Sequence, residues 1–416
     1  MQHRSPSRTL IATLCLGAAA LPFSVGGDVP SSPSASAMVT VPGMPPVPDP
    51  DNLYSEAGAG KLSPAVSGAL PRIYVPNVQS NDVYVIDPAK MKVVDRFRVG
   101  VNPQHVVPSW DLKTLWVANN AENRTDGTLT PIDPVTGKPG RPIVVDDPYN
   151  MYFTPDGRSA IIVAEARRRL DFRDPHSMQM QQSLPTPQCD GINHADFSID
   201  GRFAIFTCEF QGGLVKIDLV ERKVVGYLKL AKPAAGKTAF NARNGIDPNL
   251  CAKFASMPQD IRVSPDGKLF YIADMEADGV FVVDGGAFRQ MDFIATGIGT
   301  HGLYPSRDGK KLYVSNRGSN KIHGPRHGKG SVSVIDFATR KVEATWPIPG
   351  GGSPDMGNVS ADGKQLWLAG RYDNVVYAID TATGHVVSIP VGREPHGLAV
   401  WPQPGRYSLG HTGNMR

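Results

Sequence analysis

One element recurs seven times along this chain, and nothing else constrains its fold as tightly. It is a short β-rich run that closes on Asp: residues 83–87, 129–133, 170–174, 214–218, 280–284, 332–336 and 375–380. The closing aspartates, from Asp87 to Asp380, stand 41 to 66 residues apart. A four-stranded blade needs forty-odd residues, so the spacing fits one blade per repeat. Between these runs a strand, a tight turn and a second strand keep the same order. The turns are Asp156-Gly157, Asp200-Gly201, Asp266-Gly267, Asp308-Gly309 and Asp362-Gly363, with Asp111-Leu112 as a degenerate copy. Asp-Gly between alternating apolar runs is a strong hairpin signal, because Gly accepts positive φ. Apolar residues recur at period two and not 3.6, which excludes a helical repeat. The chain is therefore expected to be all-β, a seven-bladed β-propeller of four-stranded antiparallel blades.

The second strands end in a repeated pattern, Ile73-Tyr74-Val75-Pro76-Asn77, Leu115-Trp116-Val117-Ala118-Asn119 and Leu312-Tyr313-Val314-Ser315-Asn316. These runs resemble the YVTN-repeat β-propellers over residues 72 to about 405. The resemblance implies the fold; such propellers carry varied roles, with cell-surface and nucleic-acid-binding examples. Similar-looking exported propellers include the haem domain of cytochrome nitrite reductases and the copper-cluster domain of nitrous oxide reductase.

The first repeat begins at Arg72 without an innermost strand, and residues 396–401 form an innermost strand without partners. Pairing these N- and C-terminal strands closes the ring and removes exposed sheet edges. Residues 1–37 read as a cleavable signal peptide. Arg4 and Arg8 precede an apolar stretch, and Ala35-Ser36-Ala37 is a candidate cleavage site. No segment is long enough to span a membrane, so the expected location is secreted or periplasmic. Residues 38–71 form a Pro/Ser/Gly-rich leader, of which 52–70 could pack on the propeller. The propeller occupies 72–405. The tail, 406–416, looks like a further strand for which the ring has no slot.

Strand direction sorts the loops onto two faces. One carries the short Asp-Gly turns; the other carries every long insertion, at 120–127, 231–257 and 317–330. Long loops on a rigid scaffold tend to hold the site, so the loop-rich face is the candidate. There a two-residue position opens each innermost strand: Gln104-His105, Tyr149-Asn150, Asn193-His194, Gln259-Asp260, His301-Gly302, Asp355-Met356 and His396-Gly397. His105, His194, His301 and His396 are candidate metal ligands, since neutral imidazole suits copper or zinc. They are equally readable as repeat punctuation that hydrogen-bonds a neighbouring blade. His105 and His194 sit one place later than His301 and His396, and adjacent strand residues point to opposite sides, so all four need not converge.

Second strands end on the same face with polar residues, among them Glu165, Glu209, Asp274 and Arg371. With Asn150, Asp260, Asp355 and Arg317 these form the candidate ligand-binding set. The carboxylates could equally be acids or bases, as in lactonase-type propellers, or ion-paired loop ends. Cys189 and Cys208 fall at one end of an antiparallel hairpin. In an exported protein they are expected to pair as a disulfide; a soft metal site with His194 is the alternative. Cys251 is left over. The 317–330 loop holds His323, Arg326 and His327, and His411 lies in the tail.

The net charge of +4 over 416 residues forms no concentrated basic face; nucleic acid is a weakly supported partner. Phosphate-loop, dinucleotide, nucleophile-elbow and c-type haem motifs are absent. The leading expectation is an exported monomeric propeller that binds a small ligand or protein partner around the channel mouth. The alternatives are a copper- or zinc-dependent oxidoreductase or metal carrier, and a lactonase-like hydrolase. Whether the chain is an enzyme is left open.

Overall fold

The computed structural model describes residues 38–122, 124–232, 256–322, 328–411 and 413–416. Residues 1–37, Cys251, His323, Arg326 and His327 lie outside them. Seven antiparallel sheets stand around one axis. Blades 2 to 7 follow chain order from the innermost strands Pro103–Pro108, Pro148–Phe153, Ile192–Phe197, Pro258–Val263, Thr300–Pro305 and Pro354–Val359. Blade 1 is the seam: Ala399–Trp401 pairs antiparallel with Arg72–Asn77, matching Arg72 to Trp401 and Tyr74 to Ala399. In blade 2 the outermost strand is split into Lys138–Pro139 and Ile143–Val144, both paired with Thr128–Asp133.

Each blade is apolar on both faces, so its inner strands bury successive residues and not alternate ones. Among the described residues the apolar core divides into seven clusters, one at each junction between neighbouring blades. The junction of blade 7 with blade 1 is no exception: Trp367 and Val376 pack there against Ile73 and Val75. The ring is thus closed by packing as well as by strand pairing, and Trp367 is fully buried in that seam.

The Asp-Gly turns form with glycine at positive φ, +70° at Gly157 and +78° at Gly363, but they are not two-residue hairpins. Thr154 N–H bonds Ser159 O, and Gly157 N–H bonds Thr154 O. The aspartate accepts from the Thr154 hydroxyl at 2.6 Å and from Arg158 N–H at 3.1 Å. Ser198-x-Asp200 and Ser264-x-Asp266 repeat the arrangement. The aspartate therefore works as a turn acceptor at ordinary φ, and only the glycine needs the left-handed region.

The leader packs along the turn face for its whole described length. Val41 N–H bonds Asp200 O, Leu53 N–H bonds Pro265 O, Gly60 N–H bonds Ala361 O and Leu70 N–H bonds Pro134 O. The 406–416 segment does not form an outer strand. It turns back at that face and runs up the channel, where Ser408 N–H bonds Trp110 O and Phe153 N–H bonds Leu409 O. Asn414 Nδ2 donates to Ala195 O, and Arg416 Nη2 pairs with Asp196 at 2.6 Å. Met415 and Arg416 are buried, with Tyr54 of the leader beneath the Arg416 guanidinium. The turn-side end of the channel is stopped.

Candidate functional site

Six innermost strands break register at the two-residue position. Asn193-His194, Gln259-Asp260, His301-Gly302 and Asp355-Met356 interrupt pairing with the second strand, and blades 2 and 3 skip Gln104 and Tyr149. A bulge re-aims side chains that strict alternation would send apart. Both members of a pair can then reach the channel, at two depths.

The outer layer is a pocket of about 70 Å³, room for a few waters. Its floor comes from first members of the pairs, Gln104, Tyr149, Gln259, His301 and His396; its walls include Asn120, Glu165, Glu209, Arg317 and Arg371. Asp355 is the hub beside it. It accepts from Arg317 Nε at 2.7 Å and lies 3.0 Å from His301 Nδ1 and 2.7 Å from His396 Nδ1. Burial would raise its carboxyl, but Arg317 and the two imidazoles hold it well below the usual range. Burial brings His301 down to about 4, helped by Arg317, and His396 down to about 3 against the pull of Asp355. Arg371 pairs with Glu394 at 2.9 Å and its Nη1 lies 3.9 Å from Asp355, yet Nε and Nη1 have no hydrogen-bond partner among the described residues. Gln104 Oε1 and Asn120 Oδ1 are buried without a partner as well. Burial, and then the neighbouring Glu209 charge, push Glu165 well above the usual carboxylate range; burial also raises Glu209, against the pull of Gln259, Arg317, Asn193 and Arg371.

The inner layer holds second members of the pairs. His105 and His194 converge with His411 from the channel segment. Their rings are 5.3 Å (His105–His194), 4.2 Å (His105–His411) and 4.6 Å (His194–His411) apart. Asn150 Nδ2 lies 3.2 Å from Nδ1 of both His194 and His411. Burial first, then the neighbouring imidazoles, hold His105 and His194 well below the usual histidine range. A Cβ on Gly397 would come within 1.8 Å of His105 Nδ1, so only glycine fits beside this ring. Tyr149 and His396 separate the layers: their rings stand 5.3 and 4.8 Å from that of His105.

The four-histidine ring therefore divides by register. His105 and His194 meet in the inner layer, while His301 and His396 belong to Asp355 in the outer one. Within the ligand-binding set, Glu165, Glu209, Arg317 and Arg371 line the pocket, Asp355 braces it, and Asn150 serves the imidazoles. Two members of that set lie elsewhere. Asp260 is buried between blades, 3.1 Å from Arg262 and accepting from Leu303 N–H at 3.0 Å. Asp274 caps its own loop through Ser256, Met257 and Ala277. Neither lines the pocket. Cys189 and Cys208 form a disulfide across the blade 4 hairpin, which rules out thiolate ligands for His194. The 406–416 segment offered only one sequence signal for His411: a polar residue in a strand-like run with no place in the ring.

Residues 247–404 match the family described as YNCE-like beta-propeller, in keeping with a propeller of the YVTN-repeat type. No curated protein sequence matches the chain. Among solved structures it is similar to Kuenenia stuttgartiensis hydrazine synthase: 18% identity, 79% of this chain, 97% of that one, TM-score 0.58. A putative 6-phosphogluconolactonase from Bacteroides uniformis is similar at 16% identity, with 79% and 98% covered and a TM-score of 0.59. The dihydro-heme d1 dehydrogenase NirN in complex with DHE is similar at 14% identity, with 80% and 75% covered and a TM-score of 0.55. At these identities the likeness is one of fold.

Proposed function

We propose that this protein is an exported propeller that binds a small anionic ligand, a carboxylate or an oxyanion of similar size, in the loop-face pocket. One observation carries the reading: Arg371, 5% exposed, lines the pocket with two buried nitrogens that have no hydrogen-bond partner among the described residues, Asp355 standing 3.9 Å from one of them. A guanidinium left short of acceptors in a buried site costs free energy, and a carboxylate answers it with two parallel bonds. Glu165, which burial favours in its protonated form, adds a donor and no repelling charge. Gln104 and Asn120 add unused acceptors for a ligand N–H or O–H. Calorimetry against acetate, glycolate, nitrite and phosphate tests the reading. Binding by at least one, weakened about tenfold or more in Arg371→Gln, is expected; no binding by any, or equal binding by the variant, refutes it. Affinity should fall as pH rises, because deprotonating Glu165 turns a donor into a repelling charge.

Export is supported by the disulfide, which oxidising compartments favour. Cell fractionation with sequencing of the mature N-terminus tests it; a cytosolic protein retaining residues 1–37 would count against export. Among the described residues no helix is long and apolar enough to cross a membrane.

A further inference from the structure

We propose that His105, His194 and His411 form a binding site for one copper or zinc ion beneath the pocket floor, completed by the 406–416 segment. The three rings are almost fully buried, and one nitrogen from each lies within 4.8 Å of the others. All three Nε2 atoms are buried without a hydrogen-bond partner among the described residues. The contacts that exist cannot all be satisfied. His105 Nδ1 and His411 Nδ1 stand 2.9 Å apart, so one must carry the hydrogen and present its other nitrogen bare. Asn150 Nδ2 approaches His194, His411 and the Tyr152 hydroxyl with only two hydrogens. Packing three imidazoles this way costs free energy in a dry interior, and a cation that accepts their lone pairs removes the cost.

The donor set selects the ion. Three imidazoles without a contacting carboxylate or thiolate suit copper or zinc and not calcium or magnesium. Metal–nitrogen bonds of about 2.0–2.1 Å would draw the nitrogens together by roughly an ångström, within the reach of small ring movements. Ligation through Nε2 puts a hydrogen on Nδ1, so Asn150 orients His194 and His411 only with its amide turned to offer Oδ1 in place of Nδ2. Because His411 is 306 residues from His105 in sequence, the ion would tie the channel segment to blades 2 and 4. Metal loading should therefore protect that segment.

The test uses untagged full-length protein, stripped with chelator and then titrated separately with Cu(II), Zn(II) and Co(II), with content read by elemental analysis. One equivalent per chain is expected. Copper would give an imidazole-nitrogen electron paramagnetic signal, and cobalt the visible bands of a low-coordinate site. Affinity should fall on the order of 100-fold or more in His411→Ala and His194→Ala, while His301→Ala and Arg371→Gln keep the ion. Slowed hydrogen exchange of residues 406–416 in metal-loaded wild-type protein reports the site even if a variant fails to fold. No stoichiometric binding by wild type overturns the proposal. So does retention in His411→Ala, or loss in His301→Ala with retention in His194→Ala. The anion reading stands or falls separately, on Arg371.

Discussion

Reducing the Cys189–Cys208 bridge should cost this propeller a measurable part of its stability, by an amount that can be set in advance. The two residues are 19 apart in sequence. Releasing a closed loop of that size returns about 3 kcal/mol of conformational entropy to the unfolded chain. The sulfurs also pack into the core between blades 3 and 4, among Tyr152, Phe206 and Leu409. Replacing both cysteines by alanine should therefore cost a further 1–2 kcal/mol, roughly, in lost burial. Urea titrations of oxidised wild type, reduced wild type and Cys189→Ala/Cys208→Ala separate the two contributions, because reduction leaves every packed atom in place. Thiol labelling after denaturation confirms that the bridge has opened. If the reduced protein unfolds within about 0.5 kcal/mol of the oxidised one, the entropic account fails for this hairpin. If the alanine variant matches the reduced protein, the packing account fails.

Three further outcomes follow from buried groups. Burial raises Asp147 to about 6 although Ala166 and Arg167 N–H groups bond it. The folded state thus holds this proton more tightly than the unfolded chain, and the group costs stability as pH climbs from about 4 to about 6. Asp147→Asn should match wild type near pH 4 and exceed it by up to roughly 3 kcal/mol above pH 6; a constant difference would refute the assignment. Asp260→Ala should destabilise by about 3–5 kcal/mol in urea titration, since it strips a carboxylate from the buried Arg262. Trp367→Ala, at the closing seam, should lose about 3–5 kcal/mol in the same assay, and a smaller loss would mean that the seam relaxes around the cavity.

The ring was legible because each blade carries its own punctuation. Asp-Gly turns and closing aspartates are local signals, and the unpaired strand at each end of the repeat array announced the seam. The site was legible only in part, for two physical reasons. Period-two alternation forbids neighbouring residues such as Tyr149 and Asn150 from serving one channel, but a bulge allows it, and nothing in composition marks a bulge. The one-place offset of His105 and His194 from His301 and His396 was visible in the sequence, and it is what separates the two layers. His411 could not be placed at all, because its position depends on a chain segment packing against strands three hundred residues away. Asp260 and Asp274 show the converse: carboxylates at the loop-side ends of their strands whose partners, Arg262 and the 256–257 backbone, turn them into structural parts.

The stopped channel fixes the order of events at the site. With the leader across one face and residues 406–416 filling the shaft below, the described chain leaves a single doorway, on the loop side. Whatever reaches His105, His194 and His411 must pass Tyr149 and His396 first, and a pocket already holding an anion bars that passage. Occupancy should therefore be sequential, the deep site filling before the shallow one and emptying after it. A ligand in the doorway would then act as a cork, slowing metal loss to a chelator without touching the ion.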